Sequence, residues 1–438
     1  MSNSYTDLDT PQLPGVSLNF DTLRKKAEFK TGIPVFVGFG KLIDSDLHQK
    51  NQLPWRRITA WQQFDKYIDI RHNSITAQSF LRHAVRGFFE NGGECCVVLP
   101  ITASSYTAEA LGEPFLEASK NHDPAKNKRG WVEDIEDIDL VCVPDLMMAE
   151  FSHLKTTVIK VQQQILDHCK KMGDRFAILD TFPLHVASDI DAVKNHRFQI
   201  PSAMGAIYFP WLSVYRLNPQ LSRDLNPTAM DFFHASSKTK DQYFVPPCGH
   251  IAGVYARTDA KAGVFKAPAN EVVEGVFDLQ WPQPLSQAEQ ANLTAVGVNY
   301  FKASLSRGIR VWGARTLSNH EYDRYIPTRR LFLTLSRWID KNMRDLIFEA
   351  NQPSMWLRIK HRLESYCYEL FQKGALHGVS PEEAYFVKCD RELNADVTRE
   401  AGQVICEVGL AATAPAEFIV VRITQSVSGS TIADLTYH

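Results

Sequence analysis

The sequence lacks any long hydrophobic run. Nowhere in its 438 residues does a stretch approach the ~20 consecutive apolar side chains that a membrane-spanning helix requires. Residues 1–15 also lack the basic start and the apolar stretch of a secretory signal. We therefore expect a chain that is made and assembled in the cytoplasm, without direct insertion into a membrane.

A strong net charge is also missing. The formal net charge is -2, and 22% of the residues are charged beside 44% that are hydrophobic. This balance is typical of a soluble globular protein and gives no reason to expect nucleic acid as a partner. For a chain of this length we expect about two to three domains.

Cysteine motifs are absent, although the chain has eight cysteines. They stand mostly alone, without a CxxC pair or a Cys/His spacing that suits zinc. We predict buried free thiols in a reducing compartment and no metal site.

The common catalytic and nucleotide-binding motifs are missing as well. The chain has no GxxxxGKS/T phosphate loop, no HExxH and no GxSxG turn. Gly38 and Gly40 form the nearest approach to a dinucleotide fingerprint, but Ile43 stands where the third glycine belongs. The sequence therefore predicts no cofactor and no catalytic residue of these classes.

Asp180 is the one acid that suggests chemistry. It ends the predicted strand RFAILD, and carboxylates at the C-terminal ends of strands in α/β sheets often serve catalysis. No second acid or lysine lies near it in sequence, and Thr181 with Pro183 makes a turn cap an equal explanation. An α/β enzyme that uses Asp180 is therefore one alternative.

The patterns that are present predict alternating strands and helices in the first half. A helix over residues 77–89 stops at glycines before the strand ECCVVLPI. The strand DLVCVPDL is followed by a helix over 149–172, then Gly173 and the strand RFAILD. The fold class that we predict is α/β, or α+β for the chain as a whole.

The second half combines helices with further strands. Ser286 and Glu289 form a capping box for a short helix, and the strand GIRVWGARTL follows. Helices are predicted over residues 329–350 and 353–374, before the strands QVICEVGLAA and FIVVRIT. Residues 302–373 have an excess of basic side chains, and residues 381–407 an excess of acidic ones.

Two short apolar segments lack an obvious partner within the chain. One alternates through Val16, Leu18 and Phe20 near the start. The other carries Ile432, Leu435 and Tyr437 after a Ser-Gly-Ser hinge at 428–430. Each is expected to pair with something distant or with another molecule.

The stretch Val245–Glu271 is rich in glycine, proline and alanine. These residues argue against a plain helix or strand, while its apolar side chains favour a fixed and closely packed backbone over a flexible linker. Gly253, Arg257 and Asp259 within it are predicted to hold a junction between domains.

Several motifs in this order resemble the contractile tail sheath proteins of phages and related injection systems. The resemblance covers most of residues 31–425 and is weaker over 41–76, 101–133 and 216–242. The motifs that carry it are DIDLVCVPDL, FAILDTFP, AIYFPWL, VPPCGHIAGVYARTDAKAGVFKAPANE, GIRVWGARTLS, YIPTRRL, FEANQPSMW, GALHGVSPEEAYFVKCD and APAEFIVVRI.

The resemblance implies a subunit of a helical sheath that surrounds an inner tube and contracts to drive the tube through a target membrane. It implies an N-terminal arm over 1–30, an outer domain over 31–284, an inner domain over 285–425 and a C-terminal arm over 426–438. In such proteins both chain ends contribute to the inner domain, and the arms add strands to the sheets of neighbouring subunits.

The implied partners are further copies of the chain, an inner tube protein, baseplate and terminal cap proteins, and sheath paralogues. Assembly would occur in the bacterial cytoplasm, within a phage tail or a tail-like particle. We expect Arg358, Lys360 and Arg362, or the acidic segment after them, to contact the tube. A sheath-like ring component that never contracts is a further alternative.

Overall fold

The computed structural model divides the chain into residues 1–30 and residues 31–438, and the fold below is that of the second unit. The residues that the structure describes are 29–43, 53–70, 78–102, 106–116, 131–151, 153–183, 190–215, 242–281, 284–304, 306–343, 345, 351–412, 419–426 and 429–437.

Seventeen strands lie within the described residues. They are β1 Pro34–Phe39, β2 Lys41–Leu42, β3 Arg56–Ile58, β4 Ile68–Asp69, β5 Cys96–Ile101, β6 Leu140–Cys142, β7 Phe176–Asp180, β8 Gly205–Phe209, β9 Leu212–Tyr215, β10 Gln242–Val245, β11 Asp278–Leu279, β12 Val298–Ser304, β13 Gly308–Trp312, β14 Tyr385–Lys388, β15 Val404–Leu410, β16 Ile419–Ser426 and β17 Gly429–Tyr437.

Eleven α-helices accompany these strands in the same part of the chain, and none of them is long and apolar enough to cross a membrane. They are α1 Phe64–Tyr67, α2 Leu81–Glu90, α3 Ala108–Gly112, α4 Lys155–Met172, α5 Ile190–Phe198, α6 Cys248–Ala262, α7 Gln287–Ala295, α8 Ile326–Met343, α9 Pro353–Gln372, α10 Pro381–Ala384 and α11 Asp396–Glu400.

The core is built on an eight-stranded sheet with the order β13-β12-β8-β7-β6-β1-β5-β3. The six inner strands run parallel, and the two outermost strands pair antiparallel with their neighbours. Strands β1, β5, β7 and β8 are buried along their whole length. Burial on both faces is expected when helices cover a parallel sheet, and here α2 packs with α6 and α3 packs with α4.

A second sheet lies in the C-terminal part, with the antiparallel order β14-β15-β16-β17. Helix α9 contacts β14 and β15, and α8 contacts β17. The rings of Trp338 on α8 and Tyr366 on α9 stack with centroids 4.2 Å apart, which fixes these two helices against each other.

The mixed α/β class predicted from the sequence is confirmed. Helix α4 ends at Gly173, whose φ of 65° is the left-handed conformation that glycine adopts most easily. The capping box of Ser286 and Glu289 is present at the start of α7. Both features follow from local sequence, because a glycine stop and a capping box each act within one helical turn.

The large sheet does not end at residue 285, where the resemblance implies a boundary between the outer and the inner domain. Strand β12 follows that position and pairs in parallel with β8, with Val298 opposite Ile207. Strand β13 then pairs with β12, so the sheet continues to Trp312. Sheet pairing between distant strands gives no signal in the local pattern, which is why the sequence could not place it.

Candidate assembly elements and their positions

The stretch Val245–Glu271 contains a regular helix, α6, so the expectation that it would form no plain helix was wrong. Its glycines mark a close helix crossing. A Cβ atom on Gly249 would lie 2.6 Å from the carbonyl carbon of Ala84, and one on Gly253 would lie 2.6 Å from Cβ of Asn91. Helix α2 contributes Gly87, where a Cβ would meet the His250 ring at 2.5 Å. The predicted close packing is therefore present, but between two helices of one layer.

Asp259 belongs to a buried charge cluster on the same helix. Its carboxylate accepts two hydrogen bonds from Arg330 on α8, at 2.8 and 2.6 Å. Arg330 also donates to Asp139 at 3.1 Å. Asp139 in turn accepts hydrogen bonds from the backbone N–H groups of Gly32 and Ile33, at 2.9 and 2.6 Å. The cluster thus connects α6, α8 and the residues before β1 and β6.

Arg330 is held in its charged form by this cluster. Burial disfavours the charged guanidinium, but the carboxylates of Asp259 and Asp139 outweigh burial and raise the pKa of Arg330. The guanidinium carbon also lies 4.9 Å from the centroid of the Tyr255 ring. The Tyr255 hydroxyl is 2.7 Å from that of Tyr208 on β8, so the network reaches the centre of the large sheet.

Arg257 does not pair with Asp259. It donates to the backbone oxygens of Asn91 and Val272, at 3.2 and 2.5 Å, and lies 3.7 Å from Glu271. Its contacts tie α6 to the end of α2 and to the segment along β13. The two charged residues therefore stabilise different neighbours of the same helix, and their role at a domain junction stays a prediction.

Sequence reasoning missed Asp139, Arg330 and Arg337. Arg337 Nη1 is 3.9 Å from Asp139, and both arginines are buried. The sequence did contain one signal for the two arginines. Arg330 and Arg337 are seven residues apart in an amphipathic helix, which places both cations beside its apolar stripe. Buried cations at such positions require acidic partners, but the sequence does not say which acids these are.

Asp180 lies beneath α6 and is 3% exposed. Its Oδ1 accepts a hydrogen bond of 2.8 Å from the backbone N–H of Cys248 in the first turn of that helix. Burial raises the pKa of Asp180 to about 7, against hydrogen bonds from Cys248 that lower it. This position suits an attachment of the helix N-terminus to β7, since a helix start favours a hydrogen-bond acceptor. The described residues include no group of three or more His, Cys, Asp or Glu placed to hold a metal ion.

The raised pKa of Asp180 predicts a stability that decreases with pH. The folded chain holds the proton up to about pH 7, whereas an unfolded aspartate releases it near pH ~3.9. The folded state therefore binds more protons in this window, and the free energy of unfolding falls as pH rises through it. In Asp180→Asn we expect the free energy of unfolding to fall less over this range, because the contribution of this one ionisation is removed. Urea unfolding between pH 4 and 8 measures the difference.

Asp145 provides a comparison for this substitution, because burial raises its pKa as well, to about 6, against several hydrogen bonds that lower it. Its carboxylate accepts hydrogen bonds from the N–H groups of Phe39 and Phe80 and from the Ser79 hydroxyl, at 2.6, 2.6 and 2.7 Å. An amide in Asp145→Asn would turn its own N–H toward a donor, so we expect a loss of about 1–3 kcal/mol even at low pH. Parallel pH curves for Asp180→Asn and the unchanged protein would contradict the account of Asp180.

The candidate tube contacts lie on α9 but do not form one patch. Arg362 donates to both carboxylate oxygens of Asp345, at 2.7 and 2.8 Å, and to the backbone oxygen of Asn342 at 2.9 Å. Lys360 lies 3.8 Å from Glu364. Arg358 and Arg362 are one turn apart, while Lys360 is rotated about 160° from Arg358 around the helix. Their contact with a tube stays a prediction.

The C-terminal segment has a partner within the chain, contrary to expectation. Strand β17 pairs antiparallel with β16, with Ile432 opposite Ile423 and Tyr437 opposite Ile419. Gly429 and Ser430 of the predicted hinge belong to this hairpin, because Ser426 pairs with Gly429 and Gln425 with Ser430. Leu435 lies within β17. Strand β17 therefore forms one edge of the second sheet, and the N-terminal candidates Val16, Leu18 and Phe20 lie outside the described residues.

A family model described as the central domain of phage tail sheath proteins matches residues 132–317, which extend through β6 to β13 of the large sheet. A subunit in the baseplate structure of the anti-feeding prophage is similar over 94% of this chain and 98% of its own, at 26% identity and a TM-score of 0.65. The contracted helical sheath of the same particle is similar at 27% identity and a TM-score of 0.63, with the same coverage. Residues 132–317 thus form the central domain of a tail sheath protein.

The fold of this sheath protein is also shared with the contracted sheath of an extracellular contractile injection system, PVC. That structure covers 98% of this chain and 99% of its own, at 24% identity and a TM-score of 0.61. No curated protein sequence is significantly similar to the chain. With this central domain and a similarity to sheath subunits over nearly the whole chain, the protein is a structural subunit of a contractile sheath.

Proposed function

We propose that this sheath protein polymerises helically around an inner tube and contracts to drive the tube through a target membrane. The observation that carries the proposal is the similarity of nearly the whole chain to the anti-feeding prophage helical sheath in its contracted state. A head-to-tail contact that does not close generates such a helical filament. The proposal extends to association with a baseplate, an inner tube protein, terminal caps and sheath paralogues.

The C-terminal hairpin is the element that we propose to link neighbouring subunits. Strand β17 is an edge strand at the end of the chain, and its backbone hydrogen bonds to β16 do not depend on which copy provides the strand. Exchange of identical strands between copies therefore costs little, because the same pairing is lost and regained. Ile432, Leu435 and Tyr437 would be the side chains of this arm, and Val16, Leu18 and Phe20 those of the N-terminal arm.

Linked arms explain how a sheath can change shape without dissociating. If strands join the subunits, each folded body can rotate and exchange its lateral contacts while the lattice stays connected. The charge cluster around Arg330 and the crossing of α2 and α6 keep the body rigid during this rotation. A gain of only a few kcal/mol per subunit then adds up over the whole sheath, and no nucleotide is required. We assign no catalytic role to Asp180 in this mechanism.

We further propose that residues 31–284 contribute mainly to an outer domain and residues 285–425 to an inner one beside the tube. The second sheet and α9 lie in the inner part, where the arms would exchange. Assembly would take place in the bacterial cytoplasm, and the finished particle would be a phage tail or a tail-like particle. Its eight cysteines are free in the structure.

Deleting residues 426–438 tests the arm. We expect the truncated subunit to fold, since β14, β15 and most of β16 remain, but to form no sheath with co-expressed tube protein. Negative-stain microscopy and sedimentation of the tube fraction are the measurements, and circular dichroism checks the fold. Normal sheaths assembled from the truncated subunit would contradict the arm hypothesis.

Charge reversal on α9 tests the tube contact. Arg362 is kept, because its reversal would also break the pair with Asp345. In the double variant Arg358→Glu with Lys360→Glu we expect weaker co-sedimentation with purified tubes, most strongly at low salt. The matched control reverses two exposed lysines at and just after the end of α6, Lys261 and Lys266. Equal co-sedimentation of the two double variants and the unchanged protein would exclude this surface.

A further inference from the structure

Cys389 and Cys406 face each other between two strands of the second sheet. In the ladder of β14 and β15, Val387 pairs with Val408 and Lys388 with Glu407, so the next pair is Cys389 with Cys406. Both side chains are buried, with exposures of 7% and 3%, as are Val387 and Val408 on the same face. Side chains two residues apart on a strand share a face, which places both thiols on the inner face of the sheet.

The contacts of Asn394 show whether Cys389 and Cys406 occupy a hydrogen-bonded or a non-hydrogen-bonded position of the antiparallel ladder. Its side chain accepts a hydrogen bond from the Ile405 N–H at 2.7 Å and donates to the Ile405 oxygen at 2.9 Å. Ile405 therefore directs its backbone groups toward the β14 side, and Cys406 directs its own toward β16, where it pairs with Ile423. Cys389 and Cys406 thus form a non-hydrogen-bonded pair, the arrangement in which opposite side chains approach most closely.

The spacing of such a pair suits a disulfide bond. Opposite Cα atoms at non-hydrogen-bonded positions lie about 4.5 Å apart, at the short end of the range that disulfides span. The Sγ atom of Cys389 is 3.8 Å from the Ile405 oxygen, beside the Cys406 backbone. The hydrogen bond between the two thiols, followed by burial, raises the pKa of Cys406 well above its usual value, so Cys406 is the less reactive thiol of the pair and Cys389 reacts first.

We propose that Cys389 and Cys406 form a reversible disulfide when the protein meets a small-molecule disulfide. The thiolate of Cys389, the more exposed of the two, attacks the reagent, forms a mixed disulfide and releases one thiol. The thiolate of Cys406 then displaces the second thiol and closes the Cys389–Cys406 bond. In total, two protein thiols are oxidised with the loss of two protons, and one reagent disulfide is reduced to two thiols.

The bond would join the edge strand β14 to β15 and close a loop that contains α11 and Asn394. Closing a loop restricts the unfolded chain, so the oxidised subunit resists opening of this edge. Access needs only local opening, because β14 is a short strand at the edge of its sheet. The bond would form in the free subunit as well as in an assembled sheath, so it does not depend on helical assembly.

Trypsin digestion separates the two cysteines and provides the test. Cleavage after Lys388, Arg391, Arg399 and Arg422 places Cys389 in residues 389–391 and Cys406 in residues 400–422. The full-length chain is treated with oxidised glutathione, and remaining thiols are alkylated under denaturing conditions. We expect the two peptides to be joined, to separate after reduction, and to be absent as a joined species in Cys389→Ser.

The fully buried pair Cys142 and Cys248 serves as an internal control. The Sγ of Cys142 lies 3.8 Å from the Cys248 oxygen, but both side chains are inaccessible in the core, so their thiols should stay available for alkylation. Separate alkylated peptides for Cys389 and Cys406 after treatment would overturn the proposal. So would glutathione retained on either cysteine without a joined peptide.

Discussion

The variant Gly253→Val is expected to lose the folded subunit almost entirely. A Cβ at this position lies 2.6 Å from Cβ of Asn91, and the backbone of Phe88 on α2 is also in the way. Helix α2 cannot move outward without leaving β1, which it also contacts. Overpacking at a backbone contact destabilises the folded state by about 3 kcal/mol or more. The higher helix propensity of valine over glycine stabilises it by only ~0.4 kcal/mol, so the overpacking dominates.

The measurements are the soluble yield and the urea unfolding midpoint of any soluble fraction. Ala260→Val is the matched control, because Ala260 is exposed near the end of the same helix. It changes helix propensity by only about half a kcal/mol and meets no packed neighbour. A Gly253→Val subunit with the control's midpoint, or one that forms normal sheaths, would contradict the close crossing of α2 and α6.

The variant Arg330→Met is expected to lower the free energy of unfolding by about 3–5 kcal/mol. Methionine fills much of the volume, but it leaves the carboxylates of Asp139 and Asp259 buried without their cation. The contact with the Tyr255 ring is lost as well. Because α8 continues toward the second sheet, we also expect weaker protection of β14–β16 in hydrogen exchange.

Two further variants separate the charge from the packing. In Arg330→Met, a second change Asp259→Asn removes one uncompensated charge and should recover part of the lost stability, which a double-mutant cycle measures. Arg362→Met is the control, because its pair with Asp345 is more than a third exposed on both sides and is worth about 1 kcal/mol or less. Equal losses in Arg330→Met and Arg362→Met would contradict a stabilising role for the buried cluster.

Local periodicity predicted the elements that depend on neighbouring residues. The helix predicted over 353–374 is α9 at Pro353–Gln372, and that predicted over 149–172 is α4 at Lys155–Met172. Both have a continuous apolar stripe and a clear start or stop. The N-terminal limit of α4 was placed too early, because the apolar residues before it belong to short 3₁₀ turns that share its composition.

Helix α6 shows where residue type alone misleads. Gly249 and Gly253 indicated a chain break, yet their spacing of four places both on one face of a helix, against α2. Glycine costs helix stability, and here the cost is offset by the close approach of a second helix. The helix that accepts them lies more than 150 residues earlier in the chain, so no local pattern could have indicated it.

The candidate assembly residues depended on long-range pairing in the same way. Strand β17 seemed to lack a partner because its hydrogen bonds go to backbone groups, which carry no sequence signal. Asp259 was selected as part of a short charged pair with Arg257, whereas its partner is Arg330 on another helix. Only the motif resemblance connected these residues to a sheath, since composition and spacing alone left an enzyme as an alternative.

Imaging of purified particles shows whether this protein forms a sheath that contracts. The protein is co-expressed with its tube and baseplate proteins, and particles are imaged by negative-stain microscopy before and after mild denaturant treatment. We expect tubes covered by a long, narrow sheath that becomes shorter and wider while its subunits stay joined. Particles whose sheath keeps one length and diameter under every condition, or rings that never extend along a tube, would contradict this expectation.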